Sequence, residues 1–263
     1  MARSKIPLQK WAIAIYQHLT SLKGVSSMKL HRDLGITQKS AWFMCHRIRK
    51  AFDSTFVDLT GAVEVDETYI GGLEKNKHAS KKLHAGRGGV GKSIVVGMKD
   101  RDSKQIKAEV IPNTKKKTLH EFVNENSRED MPTYTDENLS YKGLPNHKAV
   151  NHSVGKWVEG QAHTNGMESF WAMLKRGYHG TYHKMSKKHL ERYVKEFAGR
   201  HNMREFGTEE QMREVFAKMI GQRLMYKDLV EDNGLSSGSG ASKAEQKNGI
   251  PICTRDAKIL FNQ

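Results

Sequence analysis

Apolar residues in the first fifty positions recur at the intervals of an α-helix. Three stretches show this spacing, residues 6–19, 26–34 and 38–52, and we predict a helix in each. Gly35 lies in the tight turn between the second and third, and Thr37 is a suitable N-cap for the third. Two short helices joined by such a turn match the helix-turn-helix motif. The apolar residues expected to face inward on the third helix are Trp42, Cys45, Ile48 and Phe52.

The middle of the chain changes to β-branched runs that have the length of strands. Three strong runs and then two weaker ones cover residues 61–71, 93–99, 106–113, 131–136 and 147–152. Helices are predicted between Asn113 and Met131 and over residues 165–178, 186–203 and 208–224. Strands followed by helices in this order predict a mixed α/β layer.

These patterns divide the chain into four parts. Residues 1–55 form the helical region, residues 60–205 the α/β domain and residues 206–230 a C-terminal helix. Residues 231–263 begin with small and polar side chains, which predicts a flexible tail.

The charge of the chain indicates its class of partner. Lys and Arg number 44 against 29 Asp and Glu, a formal net charge of +15 over 263 residues. Such an excess favours a polyanion, and nucleic acid is the commonest one. No apolar run is long enough to span a bilayer, and no signal peptide is evident, so we expect a cytoplasmic protein without a membrane partner. The two cysteines, Cys45 and Cys253, exclude a disulfide framework and a cysteine-rich zinc site within this chain.

Three carboxylates suggest a metal site. Asp66 lies inside an apolar strand pattern, Asp136 ends another strand, and Glu168 lies near the start of a helix. Burying a carboxylate in a strand is costly unless a cation compensates it. Two Mg²⁺ ions that share a few carboxylates can activate an attacking oxygen and stabilise a leaving one. The alternative for each acid is a salt-bridged surface residue.

The segment GRGGVGKS, residues 86–93, matches the phosphate-loop expression. That motif requires a preceding strand and a following helix, whereas SIVVGM after it predicts a strand. We therefore interpret the segment as a basic glycine-rich loop that contacts DNA phosphates through Lys92, and keep a phosphate-loop ATPase as a rival.

Two further features suit nucleic acid. Residues 171–195 interleave Lys, Arg and His with Trp and Tyr, which suits phosphates and unstacked bases, although a solvated helix with one packed aromatic face would look the same. In the third helix the side chains left for solvent or a DNA groove are Gln38, Lys39, Arg47 and Arg49.

Several motifs together resemble a known family. They are VDETYIGGLEKNKH at 65–78, GRGGVGKSIVVGM at 86–98, TYTDE at 133–137 and the long block at 163–202 that begins HTNGMESFWAMLKRGYHGTYH. In this order they are similar to the insertion-sequence 1595 family, ISXO-like bacterial transposases related to the Merlin elements. Residues 5–49 also resemble the helix-turn-helix of that family.

The resemblance implies an RNase H-like catalytic domain, a mixed sheet flanked by helices, with a DDE-type site. It places the acids on Asp66, Asp136 and Glu168, with Asn165 as a second candidate for the third position. Lys175 matches the basic residue that contacts DNA near the third acid, and Arg176 follows it.

The function implied is metal-dependent cleavage at the ends of a mobile element and strand transfer into target DNA. Two Mg²⁺ ions are implied as cofactors, with Mn²⁺ as a substitute. The implied partners are double-stranded DNA, both element ends and target, and further copies of the chain in a synaptic complex at the nucleoid. Family members often carry a zinc ribbon of paired cysteines before the helix-turn-helix, which this sequence lacks, and the tail after Glu231 departs from the family pattern. A non-enzymatic helix-turn-helix regulator and an inactive transposase relic stay open as alternatives.

Overall fold

A central five-stranded sheet organises the computed structural model, which describes residues 4–53, 59–83, 89–136, 138–149 and 164–234. The strands are β1 Val63–Ile70, β2 Ser93–Asp100, β3 Ile106–Ile111, β4 Thr133–Thr135 and β5 His147–Ala149. Their order across the sheet is β3-β2-β1-β4-β5. The β1–β2 and β2–β3 pairs are antiparallel, whereas β1–β4 and β4–β5 are parallel. This mixed α/β arrangement is consistent with an RNase H-like layout.

Helices cover both faces of the sheet because the side chains of β1 alternate between two cores. The helices are α4 Lys116–Asn126, α5 Asn165–Gly177 and α6 Leu190–Asn202. Val63 and Val65 pack on one face with the apolar side of α4. Ile70 packs on the other face with α5 and α6. Glu64 and Asp66 also point to the α5 face, where both contact that helix.

Three helices precede the sheet: α1 Leu8–Thr20, α2 Ser27–Leu34 and α3 Gln38–Lys50. Gly35 ends α2 in the left-handed conformation, with φ of 57°. The Thr37 hydroxyl accepts a hydrogen bond from the Ser40 amide at 3.2 Å and so caps α3 as predicted. Three short helices therefore form where the periodicity predicts them.

The last helices pack back onto the first ones. They are α7 Thr208–Met219 and α8 Tyr226–Val230. Val215 and Met219 of α7 belong to the same apolar cluster as the buried faces of α1 and α3. The predicted helix over 208–224 ends too late, because α7 stops at Met219. Gly221 has a positive φ of 75°, which a continuing helix cannot accommodate.

Arg49 does not face solvent, so the prediction that it is free for a DNA groove was wrong. Its side chain is 2% exposed, and its Nε donates to Glu196 Oε2 of α6 at 2.7 Å. The guanidinium carbon also lies 4.0 Å from the ring centre of Tyr193. The physical reason is that this side of α3 packs against α6, a contact between residues far apart in sequence. Cys45, Ile48 and Phe52 are buried as predicted, and Trp42 is half-buried.

Within the part of the chain that the structure describes, no helix combines the length and the apolar character needed to cross a membrane.

Candidate active site

The register of β1 and β4 brings Asp66 and Asp136 side by side. The paired residues of these parallel strands are Val63 with Thr133 and Glu64 with Tyr134, an offset of 70 that Asp66 and Asp136 share. Asp136 directly follows β4, so continuing the register by two residues puts the carboxylates on neighbouring strands, which lie about 4.8 Å apart. The extended register thus puts two acids that are far apart in sequence at neighbouring positions, and the negative charge of Asp136 raises the pKa of Asp66.

Each carboxylate is held by hydrogen bonds from nearby N–H groups. The Glu67 amide donates to Asp66 Oδ1 at 2.8 Å, and Trp171 Nε1 donates to Asp66 Oδ2 at 3.0 Å. The Asn138 amide donates to Asp136 Oδ1 at 3.1 Å. These bonds fix the orientation of both side chains without neutralising their charge.

The electrostatic environment of Asp66 disfavours its ionised form. Burial raises the pKa of Asp66 to about 7, and the negative charges of Glu67 and Asp136 act in the same direction. Among the described residues, the structure shows no Lys or Arg in an ion pair with Asp66 or Asp136. The pair therefore carries negative charge that the described part of the protein leaves unbalanced.

Glu67 lies on the opposite face of β1 and ties it to the turn after Asp136. Tyr141 Oη donates to Glu67 Oε2, and Asn138 Nδ2 donates to Glu67 Oε1, both at 2.6 Å. Burial raises the pKa of Glu67 as well, while these two hydrogen bonds oppose the shift. Asn138 thus contacts both Glu67 and Asp136, and in this way it connects Asp136 to β1.

Glu168 and Asn165 are exposed on the first turn of α5. Trp171, which contacts Asp66, is three residues after Glu168 and six after Asn165, or about 4.5 and 9 Å along the helix axis. Glu168 is therefore the nearer of the two candidates. In the described ranges, no three His, Cys, Asp or Glu side chains converge closely enough to hold a metal ion. The structure brings Asp66 and Asp136 together and leaves Glu168 outside their immediate contact.

Sequence reasoning missed three residues of this site: Glu64, Gly97 and Trp171. Glu64 is buried two positions before Asp66 on the same face of β1. Gly97 is paired with Asp66 across β1 and β2. The signals were present, because a second acid two residues from Asp66 and an indole one turn after Glu168 both follow from strand and helix periodicity.

The residues predicted to bind DNA lie in different settings. Gln38 and Lys39 are exposed at the start of α3, and Lys39 Nζ lies 4.3 Å from the ring centre of Tyr226. Arg47 is half-buried, with its guanidinium carbon 5.2 Å from the Trp11 ring centre.

The other predicted contacts lie in the sheet domain. Lys175 and Arg176 are exposed on the last turn of α5. Lys92 is half-buried just before β2. Since β2 begins at Ser93, the phosphate-loop match is followed by a strand, which argues against the ATPase rival. Residues 86–88 of that match lie outside the described residues.

The sequence matches a known protein family over the whole sheet domain. Residues 58–202 match the ISXO2-like transposase domain, which is more than half of the chain. A protein of Halobacterium salinarum described as an uncharacterized protein in transposable element ISH50 is 25% identical over 207 residues. That similarity covers 74% of this chain and 69% of the relative. The chain belongs to the ISXO2-like transposase family.

Proposed function

We propose that this protein is a DDE-type DNA transposase, which cuts DNA at the ends of its element and joins the freed ends to target DNA. The observation that supports the proposal is the parallel pairing of β1 with β4, Val63 with Thr133 and Glu64 with Tyr134, which puts Asp66 opposite Asp136 when it is continued by two residues. Two adjacent carboxylates at the centre of a mixed sheet are suited to metal-dependent phosphoryl transfer.

The donor set fits divalent cations. Carboxylate oxygens are hard ligands of the kind that Mg²⁺ prefers, and the charge on Asp66 and Asp136 has no cationic partner among the described side chains. Asp66, Asp136 and Glu168 would hold two Mg²⁺ ions, with Mn²⁺ as a substitute. When bound, such ions lower the pKa of an attacking water and stabilise the leaving oxygen of a phosphodiester.

The residues of the chain orient the reacting groups and need not supply a nucleophile. Asp66 presents its carboxylate in one orientation because Glu67 and Trp171 donate to its two oxygens. We assign the third acidic position to Glu168 rather than to Asn165, because Glu168 lies closer to Trp171 along α5. Lys175, seven positions after Glu168, would contact the phosphate backbone next to the scissile bond.

DNA binding is assigned to two basic surfaces. One would be α3, with Gln38 and Lys39 exposed at its start and Arg47 half-buried, acting with α2 as the helix-turn-helix. The other lies on the sheet domain, with Lys92, Lys175 and Arg176. Arg49 is excluded from this set because it is buried against Glu196. We further propose that two or more copies assemble on DNA at the nucleoid, because two element ends must be brought together.

The test is strand cleavage and strand transfer on DNA that carries the flanking element ends, with Mg²⁺, Mn²⁺ or EDTA. Wild type should give metal-dependent products, and Asp136→Asn should give none while still binding DNA. Asp130→Asn is the matched control, because this aspartate lies near β4 but is exposed and paired with Arg128 at 3.5 Å.

The possible results separate the proposed function from its alternatives. Equal cleavage by Asp136→Asn and wild type would refute the assignment of the acids. DNA binding without products in any metal would leave a helix-turn-helix regulator or an inactive relic.

A further inference from the structure

Glu64 joins the strand that carries Asp66 to the start of α5. Its side chain is 4% exposed, and its Oε2 accepts a hydrogen bond from the Gly166 amide at 2.8 Å. Its Oε1 accepts from Arg101 Nε at 3.0 Å, and the Arg101 guanidinium carbon lies 3.9 Å from the ring centre of Tyr134. Thr164, the N-cap residue of α5, makes no side-chain cap bond. The cap of this helix therefore comes from β1.

Trp171 makes a second connection between the same two elements. Its indole donates to Asp66 Oδ2 at 3.0 Å and is buried in the core between α5 and the sheet. The space for the indole comes from Gly97, which pairs with Asp66 on the neighbouring strand. A Cβ at Gly97 would come within 2.8 Å of Trp171 Cη2 and 2.5 Å of Met167 Cε.

The two connections match in spacing. Glu64 and Asp66 are two residues apart on a strand, or about 6.6–6.8 Å. Gly166 and Trp171 are five residues apart on a helix, or about 7.5 Å. The helix runs in the same direction as β1, since the earlier residue on one element contacts the earlier residue on the other. A shift of α5 by one residue would break both hydrogen bonds at once.

We propose that Glu64 and Trp171 are positioning residues that lock the register of α5 on β1 and thereby set where Glu168 stands relative to Asp66. Trp171 also fixes the orientation of the Asp66 carboxylate. Glu64 acts through the helix, because its bond is to the Gly166 backbone rather than to any predicted ligand. The inference rests on the proposed function, since it assigns these residues to the metal site of that reaction.

The first experiment measures Mn²⁺ affinity in the absence of DNA, by calorimetry on folded protein. Trp171→Phe keeps a ring in the core but removes the indole donor, so Mn²⁺ affinity should fall by about 10- to 100-fold, as for other residues that orient ligands. Trp11→Phe is the matched control, because Trp11 Nε1 donates to Ser4 Oγ at 3.1 Å in the N-terminal helical region. That variant should bind Mn²⁺ as wild type does.

The second experiment is a double-mutant cycle on Mn²⁺ affinity with Glu64→Gln and Glu168→Gln. If Glu64 places Glu168 through α5, Glu168→Gln should lose less affinity in the Glu64→Gln background than in wild type. Glu196→Gln is the control for loss of a buried charged pair, since Glu196 is paired with Arg49 away from this site. It should change stability and leave the effect of Glu168→Gln unaltered.

The outcomes distinguish a failure of the positioning role of Glu64 and Trp171 from a failure of the proposed function. If Asp66→Asn binds Mn²⁺ as tightly as wild type, the proposed function fails. A second set of results would overturn only the positioning role of Glu64 and Trp171. In it, Asp66→Asn abolishes Mn²⁺ binding, Trp171→Phe keeps wild-type affinity, and the effects of the Glu64 and Glu168 substitutions on affinity multiply independently. The positioning role is supported if Trp171→Phe binds Mn²⁺ more weakly and the effects of Glu64→Gln and Glu168→Gln on affinity do not multiply.

Discussion

Two regions of this protein hold acidic side chains partly or fully away from solvent, and they differ in whether a basic side chain compensates the charge. Between α3 and α6, Glu196 is fully buried, with Arg49 at 2.7 Å and Arg200 at 3.6 Å. At the sheet centre, Asp66 lies next to Asp136 with hydrogen bonds to its oxygens and, in the described residues, no ion pair. The first region therefore balances its charge internally, and the second does not.

The acids respond to these surroundings in opposite directions. Burial alone would raise the pKa of Glu196, but the charges of Arg49 and Arg200 lower it below its ordinary value. Burial raises the pKa of Asp66 to about 7, and its neighbours Glu67 and Asp136 add to the shift. A compensated buried charge holds two elements together, whereas the uncompensated charge at Asp66 is, on the function proposed above, the place where a cation from outside the chain binds.

The largest effect is expected from removing the compensation between α3 and α6. Arg49→Met leaves the buried Glu196 with only Arg200, which is more distant at 3.6 Å, among its ion-pair partners in the described residues. The free energy of unfolding in a urea titration should therefore fall by about 3–5 kcal/mol. Arg47→Met, on the half-buried side of the same helix, should cost far less. A stable Arg49→Met variant with weakened DNA binding would contradict the structural role of Arg49.

Adding a methyl group at a glycine beside each region should distinguish an effect on stability from an effect on metal binding. Gly97→Ala pushes against Trp171, and Gly199→Ala pushes against Phe52 near the α3–α6 junction. Each should lower the free energy of unfolding by about 1–3 kcal/mol through overpacking, measured by thermal denaturation. Only Gly97→Ala should also weaken Mn²⁺ binding. Equal Mn²⁺ affinities in the two variants would break the distinction between the regions.

The uncompensated acid should leave a signature in the pH dependence of stability. Because the pKa of Asp66 is raised from its ordinary 3.8 to about 7 in the folded chain, its contribution is complete at pH below 3.8 and is lost as pH rises through about 7. In EDTA, wild type should lose about 1–2 kcal/mol more unfolding free energy between pH 4.5 and 8 than Asp66→Asn, after discounting for partial exposure. Identical pH profiles of the two proteins would argue against the unbalanced charge.

The smallest effects on stability are expected at the exposed lysines. Lys39→Gln and Lys175→Gln should each change the free energy of unfolding by no more than about 0.5 kcal/mol. Each should reduce the slope of log affinity against log salt concentration by about 0.9 if its side chain contacts one phosphate. Filter binding at several salt concentrations measures the slope, and an unchanged slope would remove that lysine from the DNA surface.

Local pattern predicted most of the secondary structure, because periodicity and capping act over a few residues. The β-branched runs located the five strands of the described sheet, and Thr37 marked the start of α3. The short π-helical segment Tyr178–Tyr182 after α5 and the helix α8 had no signal that we recognised. Both pack on distant elements, Tyr182 against Tyr193 of α6 and Tyr226 against Trp42 of α3, and local spacing does not show such contacts.

The site could be predicted only in part, because its geometry depends on contacts between distant residues. Asp66 and Asp136 could be named as acids at strand positions, but their pairing follows from the parallel register, which no local pattern shows. The same limit explains the error at Arg49, whose partner Glu196 is 147 residues away. The local pattern predicts a surface position for Arg49 because its buried partner Glu196 lies beyond any local window.

The central claim is that the uncompensated pair Asp66 and Asp136 binds a divalent cation, and a crystal soaked in Mn²⁺ tests it most directly. An anomalous difference map should show a peak between the two carboxylates, and the same map for Asp136→Asn should show a weaker peak or none. The position of Glu168 in the soaked crystal would show whether it joins as the third ligand. An ordered Mn²⁺ elsewhere in the protein, with no density between Asp66 and Asp136, would contradict the account.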